Sequence, residues 1–109
     1  MGENRPFDHE TIDDIIHGRI RLGIVAYLSA VEHALFSELR DKVGATDGNL
    51  SAHLRKLEDA GYVRVEKSFV GRKPQTRLAL TDAGRKAWQA WLSRIELLRS
   101  AAAGDQSSN

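Results

Sequence analysis

Residues 46–63 read TDGNLSAHLRKLEDAGYV, and the spacing of their leucines organises everything around them. Leu50, Leu54 and Leu57 recur at the 3–4 interval of an α-helix and fall on one narrow stripe, while Gly48, Ser51, Ala52, Arg55 and Lys56 point away from it. The stretch predicts a helix that opens at Thr46 or Asp47, both good cap types, and closes at Gly61. Its outer face is small and polar at the start and basic in the middle. A helix face that only meets water is better filled by long glutamates and lysines, which keep high helix propensity. The missing bulk near the N-terminus is what a face needs if another molecule comes close.

Upstream, Ser37 is a good N-cap for a helix from Glu38 to about Val43, where Gly44 stops it. Only two or three residues then separate it from the quoted helix, and two helices joined by so tight a turn make a helix-turn-helix. Before them, Arg19 to Val31 places Ile20, Ile24, Val25 and Leu28 at core spacing, and Glu32 to Phe36 reads as a short extended segment. Phe7 to Ile16 predicts a short helix burying Ile12, Ile15 and Ile16, interrupted by Gly18. Downstream of Gly61 the period changes to 2: Val63 and Val65 alternate with Arg64 and Glu66, and Leu78 and Leu80 with Arg77 and Ala79. Between these strands lies FVGRKPQT, residues 69–76, with Gly71 and Pro74 marking a hairpin tip. A last helix capped by Thr81 or Asp82 runs to about Arg99, and the tail SAAAGDQSSN is expected to fray. The fold class is mainly α with a small antiparallel β-hairpin (α+β), in one domain over residues 1–99 with a disordered tail at 100–109.

Composition narrows the function. The 109 residues are one domain's worth, and 41% hydrophobic with 28% charged residues is the balance of a folded globular chain. There is no cysteine, which excludes disulfides, a thiolate zinc site and a cysteine nucleophile. No apolar run approaches the roughly 20 residues that span a bilayer, and the acidic N-terminus lacks a signal-peptide layout, so a cytoplasmic location is expected. The net charge of +1 says little, but its distribution is uneven. Residues 1–14 hold five acids against one base, whereas residues 46–77 hold seven bases against four acids. Such a chain presents one positive face.

The segments HGRIRLGIVAYL (17–28), FSELRDKVGATDGNLSAHLRKLEDAGYV (36–63), VGRKPQTRLAL (70–80) and TDAGR (81–85) together resemble winged helix-turn-helix regulators of the MarR, ArsR and PadR type. The resemblance implies that the 46–60 helix enters the DNA major groove, that the hairpin "wing" reaches flanking backbone or minor groove, and that terminal helices pair two subunits. Larger MarR-type members carry a ligand cleft beside longer dimerisation helices. This chain is shorter than those, and no small-molecule effector is assigned.

The chemistry of the residues supports that reading independently. Gly48 and Ala52 leave room for a backbone to approach base edges, and Asn49 and Ser51 can both donate and accept there. Arg55 and Lys56 suit guanine edges or phosphates. The competing reading for these residues is a solvated helix face, and for Thr46 and Asp47 capping is the better account. His53, at the flank of the leucine stripe, fits either a half-buried or a contacting role. Arg72 and Lys73 crown the hairpin, where cations are well placed to meet phosphates, with Lys67 and Arg77 on the strands behind them. Arg19 and Arg21, at a helix start, serve local helix charge as readily as an interface.

Trp88, Trp91, Leu92, Ile95 and Leu98 form a seam wider than one side of a small core needs. With Ile12, Ile15 and Ile16 they make an expected dimer interface. Ligand roles are weaker throughout: His9, Asp13 and His17 at i, i+4 and i+8 could present metal ligands on one side of a helix, but a solvated acidic face is the better account. The two tryptophans are more simply core or interface than a ligand pocket. No phosphate loop, nucleophile elbow or paired metal-ligand histidines is present, so no enzyme, cofactor or metal is expected. The sequence therefore points to a prokaryotic transcriptional regulator, a homodimer on a palindromic site in double-stranded DNA. A winged helix used for docking other proteins is the alternative.

Overall fold

The computed structural model describes residues 18–107, with side chains through residue 103. The expected helix at 7–16 lies outside them. In order, the elements are α1 (Arg19–Ser29), β1 (Ala34–Leu35), α2 (Phe36–Val43), α3 (Asp47–Asp59), β2 (Val63–Val70), β3 (Lys73–Leu80) and α4 (Asp82–Ser107).

The core lies where α1, α2 and α3 meet the base of the sheet. Ile24, Val25 and Leu28 of α1, Leu39 of α2, and Leu50, Leu54 and Leu57 of α3 are all buried, so the leucine stripe is spent on packing as its spacing requires. Ile20 is only partly buried at the edge of this cluster. The sheet is antiparallel with order β1-β3-β2. The extended segment before α2 thus contributes a third strand, pairing Ala34 with Leu78 and Leu35 with Arg77.

Several boundaries differ from those the sequence suggests. Ser37 does not cap α2; the helix begins at Phe36, and Glu38 reaches back so that its Oε1 accepts from the Leu35 backbone N–H at 3.2 Å. The hairpin strands are longer than periodicity implied. Pairing continues from Val63↔Leu80 out to Val70↔Lys73, which shrinks the turn to Gly71 and Arg72. Gly71 has φ +65 at the first turn position, where a two-residue hairpin needs a left-handed residue. Pro74 is a member of β3 rather than of the turn; β1 covers only Arg77 and Leu78 of that strand, so its edge at Pro74 requires no donor. At the other end, α4 continues past Arg99 to Ser107, through three consecutive alanines with the highest helix propensity.

The TDAGR segment acts as a clasp. Thr81 accepts from the Gly84 N–H at 3.0 Å, capping α4, while its hydroxyl donates to the Gly61 carbonyl at 2.6 Å and its N–H to the Tyr62 carbonyl at 3.0 Å. A Cβ on Gly84 would stand 2.1 Å from the Tyr62 carbonyl oxygen, so α4 can start here only with glycine. Arg85 then donates to the carbonyls of Ser29 at 3.4 Å and Val31 at 3.2 Å, satisfying the end of α1. Helix α4 is thereby fixed against both the α3–β2 turn and α1.

Candidate nucleic-acid interface

Helix α3 is held by its first turn and by its buried stripe. Thr46, not Asp47, is the cap: its Oγ1 accepts from the Asn49 N–H at 3.1 Å. Asp47 is occupied otherwise, with its Oδ1 accepting from Arg40 of α2 at 2.8 Å across the turn of the helix-turn-helix. The same guanidinium meets Asp41 at 3.2 Å. This exposed pair bridges the two helices and partly neutralises the acid nearest the start of α3.

The outward residues then sort into an apex and two flanks. At about 100° per residue, Gly48 and Ala52 lie opposite the leucines, and both are exposed. Nothing lies within 4 Å of where a Gly48 Cβ would stand, so the fold makes no demand for glycine there. Ser51 and Arg55 line one flank, a groove of about 730 Å³ between α3 and the sheet that also contains Glu58, Val65, Lys67 and Thr76. Asn49, His53 and Lys56 fall on the other flank, where Asn49 is exposed and the other two are half-buried. Burial, and then the positive charge of Arg21, hold the His53 imidazole below its ordinary range, favouring its uncharged form.

The wing divides its charges by strand alternation. Lys67 and Thr76 are partners on the face toward α3, following Val65 and Leu78. Arg77 lies on the opposite face with Arg64 and Glu66, where Arg64 pairs with Glu66 at 3.4 Å and Glu66 sits directly across from Arg77. Lys67 therefore belongs to the site and Arg77 to its back. Arg72 and Lys73 stand exposed at the tip, as expected. The sequence reading overlooked Glu58 and Thr76 in the groove, although Glu58 follows Ser51 and Arg55 at i+7 and i+3. It also gave no role to Phe69, which is 71% exposed on the outer wing.

The terminal seam is split in two. Trp88 and Trp91 are half-buried against the core and stacked on each other, with ring centroids 5.6 Å apart. Leu92, Ile95 and Leu98 are exposed, Leu98 to 64%, and Leu97 joins them at 70% without having been singled out in the sequence. Ile12, Ile15 and Ile16, and the histidines and aspartate at 9, 13 and 17, lie outside the described residues.

A family model described as "Winged helix DNA-binding domain" matches residues 20–98. The chain belongs to this winged-helix family. An uncharacterized protein of Methanocaldococcus jannaschii is 36% identical over 81 residues, covering 74% of this chain and 88% of its own. A transcriptional regulator homologue from Pyrococcus horikoshii superposes with a TM-score of 0.76 at 32% identity, over 81% of this chain and 87% of that one. A MarR-family regulator from Enterococcus faecalis superposes equally well, TM-score 0.76, over 96% of this chain and 94% of its own, and at 22% identity it testifies to the fold alone. The family model and the 32%-identical neighbour make the winged helix described above a DNA-binding module of the transcription-regulator type and not an enzyme. Among its described residues no helix is long and apolar enough to cross a membrane.

Proposed function

We propose that the protein is a sequence-specific regulator that binds a palindromic operator as a homodimer, with α3 in the major groove and the wing on flanking backbone or minor groove. The observation that carries this reading is Gly48. Glycine favours a helix less than alanine does, and although the cost is reduced in a first turn, the fold gains nothing from Gly48 because the space beside it is empty. A requirement for close approach by another molecule accounts for it, and the neighbouring Ala52 extends the same slim apex. Asn49 and Ser51, on opposite flanks of that apex, are the residues to read base edges; Arg55 and Lys56 follow with guanine edges or phosphates. The carboxylate of Glu58 in the groove repels phosphate on that flank, and Arg72 and Lys73 at the tip add backbone contacts away from it.

The exposed apolar residues of α4 support the homodimer. Leu92, Ile95 and Leu98 recur every third residue along α4 as an exposed apolar strip beyond the core, and a twofold axis buries such a strip against its own copy. One module reads only a few base pairs, and two linked modules multiply the discrimination. Selection of bound sequences from a random duplex library tests the reading. An enriched palindrome is expected; enrichment of single, unpaired half-sites would remove the dimer, and no enrichment would remove sequence-specific binding.

A further inference from the structure

The outer wing carries more than charge. Beyond Lys67 and Thr76 the hairpin runs past the start of α2, where Val70, Lys73 and Pro74 line an open groove with Leu35, Phe36 and Ser37, and there Phe69 is still 71% and Val70 59% exposed. Strand alternation puts these two on opposite faces of the ribbon, Phe69 on the face that continues from Val65 and Lys67 beside α3. Pro74 stands directly across from Phe69, and the apex between the strands is Gly71, which has no side chain to blunt it. From Lys67 to Leu80 there is no acidic residue, while Lys67, Arg72, Lys73 and Arg77 are all basic. A wing that met only phosphates would need cations and no phenyl ring. Exposed apolar residues on a two-stranded ribbon are an aggregation hazard, so their presence at the tip calls for an occupant.

We propose that the tip is an apolar wedge for the minor groove: Phe69, supported by Pro74 across from it, enters beside a flanking base step while Arg72 and Lys73 hold the phosphates. The occupant follows from charge and continuity. A surface at once basic and apolar fits a polyanion that also offers sugar and base faces, and the Phe69 row runs directly on from the groove beside α3. Apolar side chains inserted this way partly unstack the step they enter, so the wing reads the flank through how easily it deforms, pyrimidine–purine steps being the softest. The inference rests on the operator reading above and adds a specificity determinant to it.

The test uses the full chain and duplexes that carry 2-aminopurine at successive flanking positions, with either a TpA or an ApA step there. The unaltered protein raises the fluorescence at one step and prefers TpA. Phe69→Ser abolishes both and weakens binding to the TpA duplex on the order of tenfold, with the salt slope unchanged; Phe69→Leu retains most of the preference. The paired Arg72→Ala and Lys73→Ala changes do the reverse, lowering the slope and keeping the preference. Because Phe69 is exposed, Phe69→Ser should melt at the temperature of the unaltered protein. A Phe69→Ser variant with undiminished flank preference overturns the wedge, and so does one whose sedimented mass without DNA differs, since the tip would then belong to a protein contact. A protein that enriches a palindrome yet ignores the flanking step sinks the wedge alone. One that shows the fluorescence rise on random duplex but enriches no palindrome sinks the operator reading and leaves the wedge standing.

Discussion

Helices α3 and α4 open with nearly the same words, Thr-Asp-Gly at 46–48 and Thr-Asp-Ala-Gly at 81–84, and use them to opposite ends. Each threonine accepts from the backbone N–H three residues on, at 3.1 Å from Asn49 and at 3.0 Å from Gly84. The capping chemistry is therefore shared. What differs is the surroundings: Gly84 is wedged against the Tyr62 carbonyl, whereas Gly48 faces open space. One glycine is required by the fold, and the other meets no such requirement. A helix start rich in small residues acquires its meaning from what stands across from it.

The comparison breaks most visibly at Gly84. Gly84→Ala forces a backbone carbonyl to move and should destabilise the protein by about 3 kcal/mol, at the upper end of overpacking costs, as measured by urea denaturation. A loss under about 0.5 kcal/mol would mean that the clasp yields freely. The outer end of the same helix is tested by Ile95→Glu with Leu98→Glu. Trp91 is unsuitable because it packs on the core, whereas these two are exposed. The pair should yield a folded monomer whose affinity for a two-half-site duplex falls by roughly 10²-fold through lost avidity. Sedimentation and titration decide it, and an unchanged mass would send the dimer interface elsewhere.

Smaller effects sharpen the α3 side. Asn49→Ala or Ser51→Ala should cost on the order of 1–3 kcal/mol on the preferred duplex and much less on random DNA. Equal losses on both would show that the residue only positions the backbone. Gly48→Ala, in the first turn, should move stability by at most about 0.5 kcal/mol in the favourable direction, the opposite sign to Gly84→Ala, while weakening specific binding. Paired melting and titration curves check this, and unimpaired binding would leave Gly48 unexplained.

The smallest effect lies at α2. The Tyr27 hydroxyl donates to Glu38, and with the Leu35 N–H it holds that carboxyl below its ordinary range. Since the folded state binds the proton less tightly than the unfolded chain, the stabilisation is complete above the ordinary glutamate value of about 4.3 and disappears as pH falls through the lower folded value. Glu38→Gln should therefore flatten the acid limb of the stability curve and leave the neutral-pH salt dependence of DNA binding unaltered. Denaturation midpoints from pH 7 down to pH 3 measure the first effect.

The sequence by itself determined the elements whose signal is periodic and local. The leucines of α3, the short turn after Gly44 and the alternation after Gly61 each depend on residues within a few positions of one another, and each forms as its spacing says. The third strand, the length of the hairpin and the division of the tryptophan seam were decided elsewhere. Ala34 becomes a strand residue only because Leu78 lies beside it, and Trp88 and Trp91 are held at the core while Leu97 and Leu98 pass beyond it. The candidate site divides the same way. That Gly48, Asn49, Ser51 and Arg55 are outward follows from helical period alone. That Ser51 and Arg55 share a groove with Lys67 while Asn49 turns to the other flank depends on where the sheet docks. That docking rests on contacts between remote residues, Val63, Leu78 and Leu80 of the sheet sharing one buried cluster with the leucines of α3, just as α4 is tied on by Arg85 reaching the Val31 carbonyl and Gly84 lying against Tyr62. A local pattern records how a segment folds against water, and it holds no record of which distant carbonyl will be waiting.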